Sequence, residues 1–280
     1  MAKTKKALPM PKFHATERHF IVRLVALLLG VIVRLMFGLR VRNMDKLPKS
    51  GSYVLVSNHV TNVDALAVAY FVYYKTKRAP HFLAKEGLFR LPVIGRILLA
   101  AGQIPVYRTS GNRNDEPLRM AHEYLKRGHT IAIFPEGTLT REPDMWPMKG
   151  RSGAVRLALD TGVPVYPIAH WGSHHVLPRY GNKFRPGFWK KVDILVGDEI
   201  KLDQFRHAHP TPAEVTDATE VVMQHITALV EQLRGEKAPA QRWDPVKQGQ
   251  SKHGNFVKAA QNASEKVSEA NVSDSKAGAK

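Results

Sequence analysis

The sequence predicts an α/β fold with a mostly parallel central sheet flanked by helices. Between residues 51 and 197, short runs rich in β-branched residues alternate with longer helical patterns, and this alternation is typical of parallel sheets. A chain of 280 residues can bury one sizeable core and carry appendages. Because both ends differ in composition from the middle, we divide the chain into an N-terminal segment at 1–39, an α/β domain at 40–235 and a C-terminal tail at 236–280.

The N-terminal segment is first basic and then apolar. Lysines at positions 3, 5, 6 and 12 precede an apolar stretch at 20–39, which Arg23 and Arg34 interrupt. These arginines are eleven residues apart, which is about 20° around a helix, so they mark one polar stripe on an apolar rod. The uninterrupted part, 24–33, is too short for a spanning helix. We expect an amphipathic helix in a membrane interface; the alternatives are a tilted or re-entrant segment and an ordinary buried helix.

Six apolar runs are predicted strands, with four helical patterns between them. The strands are predicted at 53–56, 81–83, 104–107, 130–134, 165–168 and 192–196, and the helices at 64–74, 91–101, 115–126 and 151–161. Prolines bracket the fifth strand, which we expect at a sheet edge or an irregular position because proline cannot donate a ladder hydrogen bond. Ligands of such sheets gather at the carboxyl ends of strands, so residues that follow each strand are candidates for a functional site.

The last helix has clear start and stop signals. Thr211 can cap it, Pro212 suits its first turn and Glu214 completes a capping box. An apolar stripe follows at helical spacing and contains Val215, Ala218, Val222, Ile226, Leu229 and Leu233. After Gly235 the apolar residues are too sparse to offset the entropy of ordering, so the tail at 236–280 is expected to be disordered.

The chain is strongly basic and has no cysteine. Its formal net charge is +18, which favours an anionic partner such as nucleic acid, an anionic membrane surface or a phosphorylated substrate. The lack of cysteine excludes disulfides, thiolate metal sites and an acyl-cysteine intermediate. The sequence also has no G-x-S-x-G nucleophile elbow, which argues against a serine hydrolase.

A histidine and an aspartate follow the first strand of the α/β domain. A neutral imidazole at His59 can accept a proton if the Asp64 carboxylate holds its other nitrogen and stabilises the imidazolium. In one ideal helix, residues five apart lie about 140° apart and do not share a face. The pair works better with His59 at the strand end and Asp64 in the first turn of the next helix. Taken alone, it also suits a polar cap of a strand–helix turn.

Three further clusters fall where strands end. One strand delivers Arg108, whose planar guanidinium suits a phosphate, and Lys85 adds a second cation after another strand. Residues 134–138, Phe-Pro-Glu-Gly-Thr, combine a glycine for a tight turn with a carboxylate and a hydroxyl that can contact a ligand. The third cluster is the proline-bracketed strand at 163–169. Each cluster alone is compatible with a purely structural role.

Together, the four motifs resemble the glycerolipid acyltransferase family, which is typified by 1-acyl-sn-glycerol-3-phosphate acyltransferase. The matches are its H-x4-D motif at 59–64, its glycine-to-arginine block at 102–108, its Phe-Pro-Glu-Gly-Thr block at 134–138 and its proline-containing strand at 163–169. The resemblance covers residues 40–200. The family pattern usually continues after the threonine with arginine, whereas here Leu139 takes that place and Arg141 follows two positions later.

The resemblance implies transfer of a fatty acyl group from acyl-CoA or acyl carrier protein to the sn-2 hydroxyl of 1-acyl-glycerol 3-phosphate (lysophosphatidic acid). The product is phosphatidic acid. Direct transfer with a His-Asp general base needs no cofactor besides the thioester co-substrate and no metal. The implied partners are anionic membrane lipids, the acyl donor and lysophosphatidic acid, with no nucleic acid. The expected location is the cytoplasmic face of the cell membrane, where the protein would be peripheral or monotopic.

The resemblance also implies roles for particular residues. His59 would be the general base and Asp64 its orienting partner. Arg108, together with Lys85, would bind the acceptor phosphate. The residues that would position the acceptor are Glu136, Gly137 and Thr138. Two additional candidates are Asn58 and Arg141.

Four alternatives remain open at this stage. The same chemistry on glycerol 3-phosphate or another lysophospholipid is the nearest. A metal-dependent hydrolase would use His170, His174 and His175 beside the His-Asp pair. A basic nucleic-acid-binding protein fits the charge but lacks any recognition motif. A non-catalytic membrane-surface scaffold would have no need to keep both His59 and Asp64.

Overall fold

The protein is described by a computed structural model that covers residues 8–107, 116–181, 185 and 189–250. Within these residues seven strands form one sheet, in the order β1-β7-β6-β2-β5-β3-β4. The strands are β1 Phe37–Arg42, β2 Tyr53–Ser57, β3 His81–Lys85, β4 Ile104–Val106, β5 Thr130–Ile133, β6 Val165–Trp171 and β7 Lys190–Val196. Neighbours pair in parallel except β6 and β7, which are antiparallel. The predicted α/β class is confirmed.

Helices cover both faces of the sheet. They are α1 Phe20–Met36, α2 Asp64–Phe71, α3 Glu86–Phe89, α4 Ile94–Ala100, α5 Glu116–Lys126, α6 Gly153–Thr161 and α7 Pro212–Arg234. Side chains of β2 alternate between the faces: Val54 packs with α5, α6 and α7, whereas Leu55 packs with α2. Because all five residues of β2 are buried, this strand lies at the centre of the core and fixes the position of the residues that follow it.

The proline-containing strand β6 lies inside the sheet, so its predicted edge position is wrong. It pairs with β2 on one side and β7 on the other. Pro167 fits because its carbonyl faces Gly197, just beyond the end of β7, and accepts a hydrogen bond from the Gly197 amide at 2.8 Å. The N–H group that proline lacks would therefore lie beyond the last residue pair of the β6–β7 ladder, Ile168 with Val196.

The N-terminal helix is shorter than predicted, and a strand follows it without a break. The apolar stretch at 20–39 was expected to be one helix, but α1 ends at Met36 and β1 begins at Phe37. Pairing of β1 with β7 decides this difference, since a short apolar run is compatible with either a helix or a strand. Among the described residues, no helix combines the length and the hydropathy needed to cross a membrane.

The residues before α1 belong to the α/β domain, which corrects the predicted boundary at residue 40. The Glu17 side chain is 7% exposed and forms two hydrogen bonds with the Arg78 guanidinium, at 2.7 and 2.9 Å. It also accepts hydrogen bonds from the backbone amides of Ala79 and Thr130, at the start of β3 and β5. Burial alone would raise the pKa of Glu17, but Arg78 and the two backbone amides together outweigh burial and lower it. This segment therefore covers the end of the sheet at which β3 and β5 begin.

The beginning of the C-terminal tail is also ordered, contrary to the prediction. Arg242 pairs with Glu220 on α7 at 2.9 Å, and Lys149 pairs with Asp244 at 2.8 Å. The Trp243 carbonyl accepts a hydrogen bond from the Lys149 amide. The polar composition after Gly235 concealed these pairs because their partners are distant in sequence. Residues 251–280 lie outside the described part of the chain.

Candidate active site

The His59–Asp64 pair is built at the carboxyl end of β2. His59 follows that strand and Asp64 is the first residue of α2, which is the strand-end and helix-start arrangement expected from their spacing. His59 Nδ1 lies 3.0 Å from Asp64 Oδ2. The same carboxylate oxygen accepts the backbone amides of Val60 and Thr61 at 2.6 and 2.7 Å. Asp64 is fully buried, whereas the His59 side chain is 18% exposed.

Electrostatics keep the Asp64 carboxyl ionised. Burial alone would raise its pKa, but the neighbouring His170 and His59 and the Ser173 hydroxyl outweigh burial and hold the pKa below its usual range. An ionised Asp64 accepts the Nδ1 proton of His59, which leaves a lone pair on Nε2. The imidazole also stacks on the Phe134 ring, at 4.1 Å between ring centroids. The His59 ring is therefore fixed in both tautomer and orientation.

Glu136 holds the backbone of His59 in place. One carboxylate oxygen accepts the His59 amide at 2.9 Å and the other accepts the Met148 amide at 3.1 Å. The His59 carbonyl in turn accepts the Thr140 amide at 2.7 Å. Burial raises the pKa of Glu136 to about 8. Because Glu136 is 2% exposed, its carboxyl group contacts the backbone of residues 59 and 148 and is not open to an acceptor.

Gly137 and Thr138 form the turn after β5, at the same edge of the sheet. Gly137 has a φ of 68°, and its amide donates to the Phe134 carbonyl at 2.9 Å. A Cβ at this position would lie 2.8 Å from Arg151 Nε. Glycine is therefore required both by the left-handed backbone and by the close approach of a side chain.

Of the two predicted phosphate-binding residues, the structure describes only Lys85. Lys85 ends β3 with an exposed side chain, at the same edge of the sheet as His59. Arg108 lies outside the described residues. Arg141 is 1% exposed and Leu139 is 7% exposed, so the structure buries both side chains that depart from the family pattern.

Sequence reasoning missed the position of His170 and considered it only as a metal ligand. The His170 ring lies beside Asp64, with 3.5 Å between Nε2 and Oδ2, and the Asn58 side chain bonds to the His170 backbone. No local signal could have shown this, because Asn58 and His170 are 112 residues apart. The rings of His174 and His175 contact each other at a tilt of 46°. In the described part of the chain, no three His, Asp or Glu side chains are arranged to hold a metal ion.

Comparison with known proteins identifies the family. The model of the acyltransferase family matches residues 38–171. The 1-acyl-sn-glycerol-3-phosphate acyltransferase of Bacillus subtilis is 30% identical over 207 residues, which cover 73% of this chain and 94% of that protein. The chain belongs to the 1-acyl-sn-glycerol-3-phosphate acyltransferase family. The resemblance predicted from four motifs is thus confirmed.

Other acyltransferases match over a smaller share of their length. The chloroplastic 1-acyl-sn-glycerol-3-phosphate acyltransferases of Brassica napus and Arabidopsis thaliana are 30% and 29% identical, over 60% and 67% of this chain. The chain spans about half the length of these plant acyltransferases, 45% and 52%. The crystal structure of the 1-acyl-sn-glycerophosphate acyltransferase PlsC from Thermotoga maritima superimposes with a TM-score of 0.60 and 25% identity, over 78% of this chain and 82% of that one.

Proposed function

We propose that the protein transfers a fatty acyl group from an acyl thioester to the sn-2 hydroxyl of 1-acyl-glycerol 3-phosphate, giving phosphatidic acid. The observation that carries the proposal is the buried Asp64, 3.0 Å from His59 Nδ1, at the carboxyl ends of the parallel strands, where such sheets bind ligands. The names of the relatives support the choice of acceptor. The donor is acyl-CoA or acyl carrier protein.

The geometry supports direct transfer with His59 as general base. His59 Nε2 takes the proton of the acceptor hydroxyl while the hydroxyl oxygen attacks the thioester carbonyl. Asp64 stabilises the resulting imidazolium. When the tetrahedral intermediate collapses, the C–S bond breaks and the leaving thiolate takes the proton from His59. Since the chain has no cysteine, no acyl-cysteine step precedes the transfer, and we expect no cofactor besides the co-substrate.

Lys85 is proposed to bind the acceptor phosphate together with Arg108. We expect Lys85→Ala to raise the KM for lysophosphatidic acid about tenfold with little change in kcat, because a charge-assisted contact is lost. A monoacylglycerol acceptor, which has no phosphate, should show no such change. Lys126→Ala is the matched control, since Lys126 is exposed at the end of α5, near the opposite edge of the sheet. An unchanged KM in Lys85→Ala would remove this residue from the phosphate site.

We also propose that α1 docks on anionic membrane lipids at the cytoplasmic face of the cell membrane. The outer face of α1 exposes large apolar side chains: Phe20, Leu24, Leu27, Leu28, Val31, Ile32 and Leu35. Arg23 and Arg34 are exposed on the same helix. Val93 and Ile94, at the start of α4, extend the apolar surface next to α1. An apolar face with basic residues and a net charge of +18 suits an anionic lipid surface.

The double substitution Leu27→Glu/Leu28→Glu tests this docking. Both leucines are about 60% exposed, so the substitution should leave the fold intact while adding charge to the lipid-facing surface. We expect at least about tenfold weaker binding to vesicles of phosphatidylglycerol and phosphatidylcholine, measured by co-sedimentation. Val246→Glu makes the same kind of change at a side chain that is 55% exposed and lies next to Asp244, the partner of Lys149, and should bind as wild type. Equal vesicle binding by the double variant would contradict the docking.

The acceptor is tested by thiol release from oleoyl-CoA and from oleoyl acyl carrier protein. The acceptors compared are lysophosphatidic acid, glycerol 3-phosphate, lysophosphatidylcholine and monoacylglycerol. We expect lysophosphatidic acid to give the highest kcat/KM. Faster release with glycerol 3-phosphate would move the protein to the alternative acceptor, and equal release without any acceptor would indicate a thioester hydrolase.

A further inference from the structure

A second histidine lies behind the His59–Asp64 pair. His170 is fully buried near the end of β6. Its Nε2 atom is 2.8 Å from the backbone carbonyl oxygen of Asn58 and 3.5 Å from Asp64 Oδ2. His170 therefore lies beside both the residue before the general base and Asp64 Oδ2, the same carboxylate oxygen that contacts His59 Nδ1.

The contacts of His170 define its tautomer. Both groups near Nε2 are acceptors, a carbonyl oxygen and an ionised carboxylate, so Nε2 must carry the proton. The Nδ1 atom is buried and has no hydrogen-bond partner among the described residues. A second proton on Nδ1 would be a buried donor without an acceptor, which is costly. The geometry thus places the ring proton of His170 on Nε2, the nitrogen that faces both acceptors.

Three hydrogen bonds join Asn58 and His170. The Asn58 amide group donates to the His170 carbonyl at 3.0 Å, and its carbonyl oxygen accepts the His170 amide at 3.0 Å. The His170 ring then donates to the Asn58 backbone. These reciprocal bonds join the ends of β2 and β6 at the residue directly before His59. The position of the general base is therefore coupled to the His170 side chain.

We propose that His170 is a positioning residue for acyl transfer. Its Nε2–H fixes the Asn58 carbonyl, directly before His59, and lies beside Asp64 Oδ2, the oxygen that contacts His59 Nδ1. This inference rests on the proposed function, because it assigns His170 a part in the same reaction. His170 does not touch either substrate.

The experiment compares His170→Leu with His170→Gln. Leucine has a similar size but no donor, whereas glutamine can place an N–H group near the Asn58 carbonyl. We expect His170→Leu to lower kcat about 10- to 100-fold with an unchanged KM for lysophosphatidic acid, since small displacements of a general base are costly. We expect His170→Gln to recover to within about threefold of wild type. Thermal unfolding of both variants verifies that they fold.

A readout that does not depend on substrate completes the test. Nitrogen-15 NMR of the imidazoles, assigned by the signal lost in His170→Gln, should show His170 as the neutral Nε2–H tautomer. A Nδ1–H tautomer would overturn the inference, as would full kcat in His170→Leu or equal impairment of both folded variants. Any of these results in an active wild-type enzyme leaves the proposed function standing. An inactive wild-type protein with the expected tautomer would instead overturn the proposed function.

Discussion

Replacing His59 with alanine is expected to lower kcat/KM for acyl transfer by about 10²- to 10⁴-fold, which is the range of general-base catalysis. The substitution removes the Nε2 lone pair that takes the hydroxyl proton, while Asp64 keeps its backbone donors from Val60 and Thr61. Glu136 and Thr140 hold the backbone of residue 59 and do not need its imidazole. We therefore expect the fold and the KM for lysophosphatidic acid to change little, as measured by thiol release at saturating donor.

His225→Ala is the matched control for this experiment. His225 is exposed on α7, and its ring bonds only within that helix, to the Val221 carbonyl. The control should retain wild-type kcat/KM. Turnover by His59→Ala at the level of this control would exclude His59 as the base and direct attention to His174, which also lies in the field of Asp64.

Replacing Arg78 with alanine is expected to reduce the free energy of unfolding by about 3–5 kcal/mol, because it leaves a buried carboxylate without its partner. Arg78 and Glu17 are both less than 10% exposed. The guanidinium also donates to the carbonyls of Gly51 and Gly128, at 2.6 and 2.7 Å. One side chain thus ties the N-terminal segment to the starts of β2 and β5. Urea unfolding followed by circular dichroism measures the change.

Arg40→Ala is the control for the Arg78 prediction. Arg40 also pairs with a carboxylate, that of Asp193 at 2.7 Å, but its side chain is 62% exposed. Water can replace such a contact, so this variant should unfold near the wild-type urea midpoint. Equal midpoints for both variants would show that the buried pair does not stabilise the fold.

The Arg78–Glu17 pair also makes deletion of residues 1–39 a poor test of membrane docking, because the deletion removes Glu17 together with α1.

The sequence predicted most of the strands but not their full set. β2, β3 and β5 were recognisable because their apolar, β-branched residues form short runs that end at turns. β1 was not, because its residues continue the apolar pattern of α1 and become a strand through pairing with β7, as in the register Phe37 with Lys190. Contacts between residues so distant in sequence leave no local signal.

The candidate site was also predicted only in part. The positions of His59 and Asp64 follow from one strand end and the helix that starts five residues later. Glu136 was expected to position the acceptor, yet its buried carboxyl group binds the backbone amides of His59 and Met148. Glu17 was assigned to a membrane-associating segment, although its charged partner, Arg78, is 61 residues away. Side chains whose role depends on a distant partner require the structure.

The most direct measurement is the fate of a labelled acyl group. The purified protein is incubated with carbon-13-labelled oleoyl-CoA and lysophosphatidic acid, and the lipids and the intact protein are analysed by mass spectrometry. We expect the label in the sn-2 acyl chain of phosphatidic acid, none attached to the protein, and loss of the labelled product in His59→Ala. Label found chiefly in free oleate, or on the protein, would contradict direct acyl transfer to the lysolipid hydroxyl.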